Sequence, residues 1–239
     1  MCTVTYIPKG DNTFILTSNR DEAIGRKTLP PDFYTIDGTK MLFPKDAVAG
    51  GSWIGLSEKS RLICLLNGGF KNHLRQERYR MSRGIIVKEL LKSPNLKEAI
   101  HNFNYTGVEP FTIVAISWEQ QLEAFELVWD GTTAHIQTLE DKPYIWSSST
   151  LYSDDMKAKR HKWFSDFIVD SPLETMEDMY SFHTTAGEGD PNVDVCLDRG
   201  LLKTVSITQV SKDYDSCNMR YHDLLKEEVY DTQFEMITV

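Results

Sequence analysis

The chain has 239 residues, 41% of them hydrophobic and 26% charged, with a formal net charge of −9. That length can bury a sizeable core in one large domain or two small ones. The acidic balance argues against a nucleic-acid partner, because phosphate neutralisation requires a basic surface. No window approaches the run of about twenty apolar residues that a membrane span needs, and the N-terminus lacks the charged start and apolar core of a secretory signal.

In chain order, "CTVTYI" alternates β-branched and polar residues, a turn follows, and "TFILTS" reads as the second strand of a hairpin. "NRDEAIGRKTLPPDF" shows neither period and contains a proline pair, so a loop is expected. "TKMLFP", "GGSWIGLS" and "SRLICLLN" read as strands. "SRGIIVKELLKS" has helical spacing, and "NLKEAIHNF" restarts a helix with Asn95 as cap. Strands return in "FTIVAISW", "QLEAFELVWD", "TAHIQTLE" and "YIWSSS", with Asp130–Gly131 as a hairpin turn. Two helices are expected next. One is "DDMKAKRHKWFSDFIV", with Trp163, Phe164 and Phe167 on one side and a solvated basic face at Lys157, Lys159 and Arg160; the other is "PLETMEDMYSFH", opened by Pro172. "VDVCLDR" and "KTVSITQVS" are strand-like, and "GEGDPNVD" reads as a solvated loop without EF-hand spacing. No repeat or linker interrupts the chain, so a single domain over residues 1–239 of layered α+β type is expected.

Cys2, Cys64, Cys196 and Cys217 form no CxxC pair, which fits a reducing, cytoplasmic location and offers no metal site. Cys2 carries the chemical interest. Removal of Met1 would leave a free α-amine and a thiol on one carbon, and that amine, with an ordinary pKa near 8, suits the base that takes the thiol proton. The far end of the second hairpin strand returns to the start of the first, so Asn19, Arg20 and Asp21 are expected beside Cys2. A guanidinium there favours thiolate, and Asp21 offers charge-assisted hydrogen bonds to the amine or to Arg20. Asn67 and the backbone after it, in "LLNGG", are candidate donors to a developing oxyanion. Gly50 and Gly51 before Trp53 imply positive φ or close backbone approach. His183 sits at a helix end, as a dipole cap or a ligand-facing group.

"MCT", "SNRDE", "GGSWIGL", "LLNGG", "WSSSTLYS" and "KTVSITQV" occur in the order seen in the NRDE family, which includes transport and Golgi organisation protein 2 and bacterial relatives. The chain resembles that family over nearly its whole length, and the family in turn is similar to the N-terminal-nucleophile hydrolases. The resemblance implies a four-layer αββα sandwich. It also implies Cys2 as nucleophile, Asp21 near the amine, Arg20 in the same turn and Asn67 at the oxyanion. A second oxyanion asparagine is implied where this chain reads Ser147, Ser148 and Ser149. Asn19, Trp53, Ser148 and His183 complete the site as substrate-facing candidates.

Three readings stay open. An N-terminal-cysteine amidohydrolase or acyltransferase would act on a small amide or acyl thioester and need no cofactor. A non-catalytic protein on the same scaffold would hold haem or an acyl lipid, in keeping with the family's links to haem mobilisation and lipid metabolism; its ligand would meet Cys2 as thiolate and Arg20 at a propionate. An interaction module would leave the polar cluster around the hairpin unexplained.

Overall fold

The computed structural model describes residues 2–170, 175–214 and 216–235, with backbone only at residues 2 and 170. It is α+β, with two antiparallel sheets and few helices, as expected. The chain groups into two compact units. One takes the described residues up to Arg26 together with Asp141–Gln233, and the other is built on Lys27–Glu140.

The first unit carries a six-stranded sheet. Its strands are β1 (Cys2–Pro8), β2 (Phe14–Ala23), β10 (Tyr144–Ser147), β11 (Leu202–Lys212), β12 (Ser216–Asp223) and β13 (Glu228–Glu235), ordered β10-β1-β2-β11-β12-β13. β1 and β2 form the expected hairpin, with Val4 opposite Ser18 and Tyr6 opposite Leu16. Two helices, α3 (Asp154–Asp170) and α4 (Met176–Thr185), pack on it, α3 against β10 and α4 against β2 and β11. Their apolar stripe places Phe164, Met179 and Phe182 against Ile7, Ile15 and Ile145. Full burial of a side chain such as Phe182 stabilises by about 1.5–3 kcal/mol. A capping box fixes the start of α4: Thr175 Oγ1 accepts from Asp178 N, and Asp178 accepts from Thr175 N. Pro172, expected to open this helix, lies outside the described residues.

The second unit holds β3 (Thr28–Ile36), β4 (Thr39–Asp46), β5 (Ile54–Ser57), β6 (Arg61–Asn67), β7 (Phe111–Ser117), β8 (Glu123–Trp129) and β9 (Ala134–Thr138), ordered sequentially as one antiparallel sheet. Helix α1 (Arg83–Lys92) lies on β5 and β6 and is followed by α2 (Leu96–Asn102). Ile86, Val87, Leu90 and Leu91 of α1 fill one core with Ile63, Leu65 and Phe111. Asn95 caps α2 as expected, accepting from Glu98 N at 3.0 Å. Arg61, fully buried at the start of β6, donates to the Leu90 carbonyl at 3.3 Å and the Ser93 carbonyl at 2.8 Å, closing the C-terminal end of α1.

Several local expectations are corrected. "NRDEAIGRKTLPPDF" is not a loop: β2 runs through Asp21 to Ala23, and β3 contains both Pro30 and Pro31. β2 continues past its hairpin partner because β11 pairs along its other edge. β3 tolerates two prolines because it is the edge strand, and its register shifts between Leu29 and Asp32. "VDVCLDR" forms only an isolated bridge, Asp198 to Lys203, within a turn-rich segment. The sequence does not announce β12 and β13: β12 alternates half-buried polar residues with buried ones of which only Cys217, Met219 and Tyr221 are apolar, and β13 is mostly exposed, so neither carries a strong apolar signal.

Candidate functional site

The chemistry-bearing residues of the first unit gather where β1 begins and β2 ends. Cys2 is directly opposite Arg20 in the ladder, and Thr3 is opposite Asn19. On the other edge of β1, Thr3 pairs with Ser147, so the turn beginning at Ser148 lies at the Cys2 end of the sheet. β11 closes the arrangement with a bulge: Thr204 pairs with Asp21 and Ser206 with Arg20, so two steps on β11 match one on β2. Such bulges re-aim side chains at strand ends.

Strand alternation divides "NRDE" between two faces, a consequence of the period of two. Asn19 and Asp21 point toward the helices. Asp21 is fully buried; Oδ1 accepts from Thr204 Oγ1 at 2.6 Å and Oδ2 accepts from the Tyr152 hydroxyl. Burial raises the Asp21 carboxyl above its ordinary range, and the hydroxyls of Thr204 and Tyr152, with the nearby Arg160, pull it back in part. The Tyr152 phenol is pushed well above its usual value, first by burial and then by the Asp21 charge, so it remains a neutral donor. Arg20 lies on the opposite face at 3% exposure, with its guanidinium 3.8 Å from Glu22 Oε2.

Arg160 joins these parts. Its guanidinium lies 3.6 Å from the centre of the Tyr152 ring and donates to Thr3 Oγ1 at 2.6 Å. It also donates to the Val193 carbonyl at 3.0 Å and the Asp194 carbonyl at 2.6 Å. The expectation of a solvated basic face on α3 therefore fails at Arg160, which is fully buried. The signal was in the spacing: Arg160 stands four residues before Phe164 and seven before Phe167, on the apolar stripe.

Asn19 and His183 face one another in the interior. Asn19 Nδ2 donates to the carbonyls of His183, at 3.1 Å, and Val195, at 3.0 Å. That orientation turns Asn19 Oδ1 toward His183 Nδ1, 2.7 Å away, and assigns the ring proton to Nδ1. Nε2 then accepts from Thr5 Oγ1 at 2.8 Å. Both side chains are fully buried, with their polar atoms bonded inside the protein, so neither is placed to face a ligand as expected. Burial lowers the His183 pKa to about 3, and Arg160 adds to the effect. Ser148 is also buried, its hydroxyl 3.0 Å from Thr150 Oγ1.

Trp53 and Asn67 belong to the second unit. Trp53 is buried just before β5, and its carbonyl accepts from Leu65 N at 2.7 Å. Asn67 is half-buried at the end of β6, opposite Phe111. The Gly68 amide that follows, a candidate oxyanion donor, is engaged by the Pro110 carbonyl at 3.0 Å. The glycine pair before Trp53 behaves as its two readings required. Gly50 has φ +68°, and a Cβ on Gly51 would come within 2.7 Å of the Gly84 backbone. Among the described residues no cluster of His, Cys, Asp or Glu is arranged to hold a metal ion.

The residues that sequence reasoning missed are Tyr152, Arg160 and Thr204. Tyr152 and Thr204 fall inside "WSSSTLYS" and "KTVSITQV", where no local pattern marks the partner, Asp21, that lies far away in sequence.

The profile of the Transport and Golgi organisation 2 family matches residues 1–237. No curated protein matches the sequence. Among solved structures, a Caenorhabditis elegans N-acylethanolamine-hydrolyzing acid amidase orthologue is similar with TM-score 0.59 and 12% identity, covering 87% of this chain and 92% of that one. Two variants of the conjugated bile acid hydrolase from Clostridium perfringens are similar with TM-score 0.54, at 10% and 8% identity, each covering 100% of this chain and 99% of that one. These are proteins of the N-terminal-nucleophile hydrolase type, and at such identities the likeness establishes the fold.

Proposed function

Because the chain belongs to the Transport and Golgi organisation 2 family and has the fold of N-terminal-nucleophile hydrolases, we propose that it is an N-terminal-cysteine amidohydrolase or acyltransferase. Its substrate class is a small amide or acyl thioester. The observation that carries this reading is the register that sets Cys2 opposite buried Arg20, with buried Asp21 next in sequence.

In the proposed reaction Met1 is removed and the α-amine of Cys2 takes the thiol proton. The thiolate attacks the substrate carbonyl, and the resulting tetrahedral intermediate collapses to a thioester. The protonated amine gives its proton to the departing nitrogen. Water or another acyl acceptor then attacks the thioester, returning the thiol. Arg20 favours the thiolate by its charge. Asp21 orients the amine, while Tyr152 and Thr204 hold Asp21 in place. Asn67 keeps its expected oxyanion role in this proposal on the family resemblance alone.

Turnover of amide and thioester libraries by the purified protein tests the reading. Cys2→Ala abolishing turnover while leaving unfolding unchanged supports it, and a mutant as active as wild type sinks it. One observation favours the non-catalytic alternative: where the resemblance implies an asparagine the chain offers only Ser147, Ser148 and Ser149, and the Ser148 hydroxyl is already engaged with Thr150. Loss of one oxyanion donor costs about 10²–10³ in turnover. A wild-type protein that turns over nothing yet shifts the haem spectrum, with that shift lost in Cys2→Ala, would establish that alternative.

A further inference from the structure

We infer that the segment between β6 and α1 docks the protein on an anionic bilayer surface. Residues 68–82 form neither helix nor strand. Connections of that length inside compact units are uncommon and are usually functional or disordered. This one is tied down at both ends. Gly68 N donates to the Pro110 carbonyl at 3.0 Å, and Arg80 N donates to the Gly107 carbonyl at 2.7 Å. His73 adds a contact in between, 3.4 Å from Glu109.

Between these anchors the surface chemistry departs from the rest of the molecule. "FKNHLRQERYR", residues 70–80, carries four cations (Lys71, Arg75, Arg78 and Arg80) and one carboxylate (Glu77) in a chain whose net charge is −9. Arg75 and Arg78 are exposed and meet no carboxylate among the described residues. Leu74, directly before Arg75, is 96% exposed, and Phe70 is 54% exposed. An isolated exposed leucine needs no explanation. An exposed leucine in a segment rich in cations has the composition that enters the headgroup layer, the apolar side chain reaching the acyl boundary while the guanidiniums meet anionic headgroups. The overall negative charge disfavours an extended polyanion such as nucleic acid, which would engage a far larger surface.

The full-length protein is mixed with vesicles of equal parts phosphatidylcholine and phosphatidylserine, or of phosphatidylcholine alone, at low salt, and sedimented. Binding to the anionic vesicles only, reversed by added salt, is expected. Arg75→Glu/Arg78→Glu should weaken it by at least about twenty-five-fold, since each cation near such a surface contributes about five-fold. Leu74→Ser should weaken it by about ten-fold. Both sites are exposed, so unchanged circular dichroism confirms that the variants are folded. Wild-type protein that stays in the supernatant with both vesicles overturns the inference. So does equal binding of the charge-reversed variant. Binding that Leu74→Ser leaves intact also overturns it and marks the loop as a site for soluble polyanions.

Discussion

The Arg160 guanidinium lies over the Tyr152 ring, 3.6 Å from its centre, and Tyr152 in turn donates its hydroxyl to Asp21. The same guanidinium bonds Thr3, the residue after Cys2. One buried cation on α3 thus braces both strands of the hairpin on which the proposed nucleophile begins. Arg160→Met removes these donors and leaves the carbonyls of Val193 and Asp194 without this partner. A destabilisation of about 3 kcal/mol or more is expected, at about 1–3 kcal/mol for each buried polar group left unsatisfied. Urea unfolding measures it. Arg160→Lys should recover little of the loss, since an ammonium cannot reproduce the planar fork.

Tyr152→Phe separates positioning from stability. The substitution keeps the ring beneath Arg160 but removes one of the donors to Asp21. About 1–3 kcal/mol of stability should be lost, and the Asp21 carboxyl should move further up, because the hydroxyl bond now opposes the effect of burial. If Asp21 orients the Cys2 amine, the pH profile of amide turnover shifts as well. A profile identical to wild type at reduced stability would assign Tyr152 to the fold alone.

His183 makes stability depend on pH with a definite sign. Its folded pKa is lowered to about 3, whereas the unfolded ring titrates near 6.5. The neutral ring therefore contributes stability that is fully present above pH 6.5 and is lost as pH falls toward 3. Between pH 7 and pH 5 this single group should cost about 2 kcal/mol. Asp21 acts oppositely, since its raised carboxyl loses its burial penalty on protonation. Urea unfolding of wild type and His183→Gln at both pH values isolates the histidine, because both proteins retain Asp21. Equal pH dependence in the two would contradict the assignment.

Gly51 and Gly84 of the second unit contrast sharply with Gly25 of the first. Gly51→Ala would press a methyl group to 2.7 Å from the Gly84 backbone, and Gly84→Ala would press one to 2.8 Å from the Ser52 carbonyl. Each should cost about 1–3 kcal/mol, the range for overpacking. Gly25 has open space around it and no positive φ. Gly25→Ala should lie within about 0.5 kcal/mol of wild type, and thermal unfolding of all three variants measures the difference.

Much of the fold was legible because local signals agreed. The β1–β2 hairpin, the run from β4 to β10 and the helices α1 to α3 all follow from alternation, caps and turn residues in their own segments. What was illegible depended on distant partners. β2 extends through Asp21 because β11, far along the chain, pairs with it. Pro30 and Pro31 sit in a strand because that strand is an edge. At the site, Asn19, Arg20 and Asp21 are all expected beside Cys2; the ladder sets Arg20 directly opposite it, whereas Asn19 and Asp21 lie on the other face. Alternation sends them to the helix-facing side, where Asn19 meets His183 and Asp21 meets Tyr152. Those partners lie 164 and 131 residues away in sequence, beyond any local pattern.

Arg20 is the cation that should set the reactivity of Cys2. Arg20→Met is expected to raise the pH of half-maximal alkylation by iodoacetamide, toward the ordinary thiol value of about 8.5. An unchanged profile would remove Arg20 from the mechanism.

The proposed function requires Cys2 to be a primed N-terminal nucleophile. Intact mass of the purified protein, before and after brief alkylation at neutral pH, tests it most directly. Loss of Met1 and one fast-reacting thiol, mapped to Cys2 ahead of buried Cys64 and Cys217, is expected. A protein that retains Met1, with Cys2 no more reactive than those buried thiols, would contradict it.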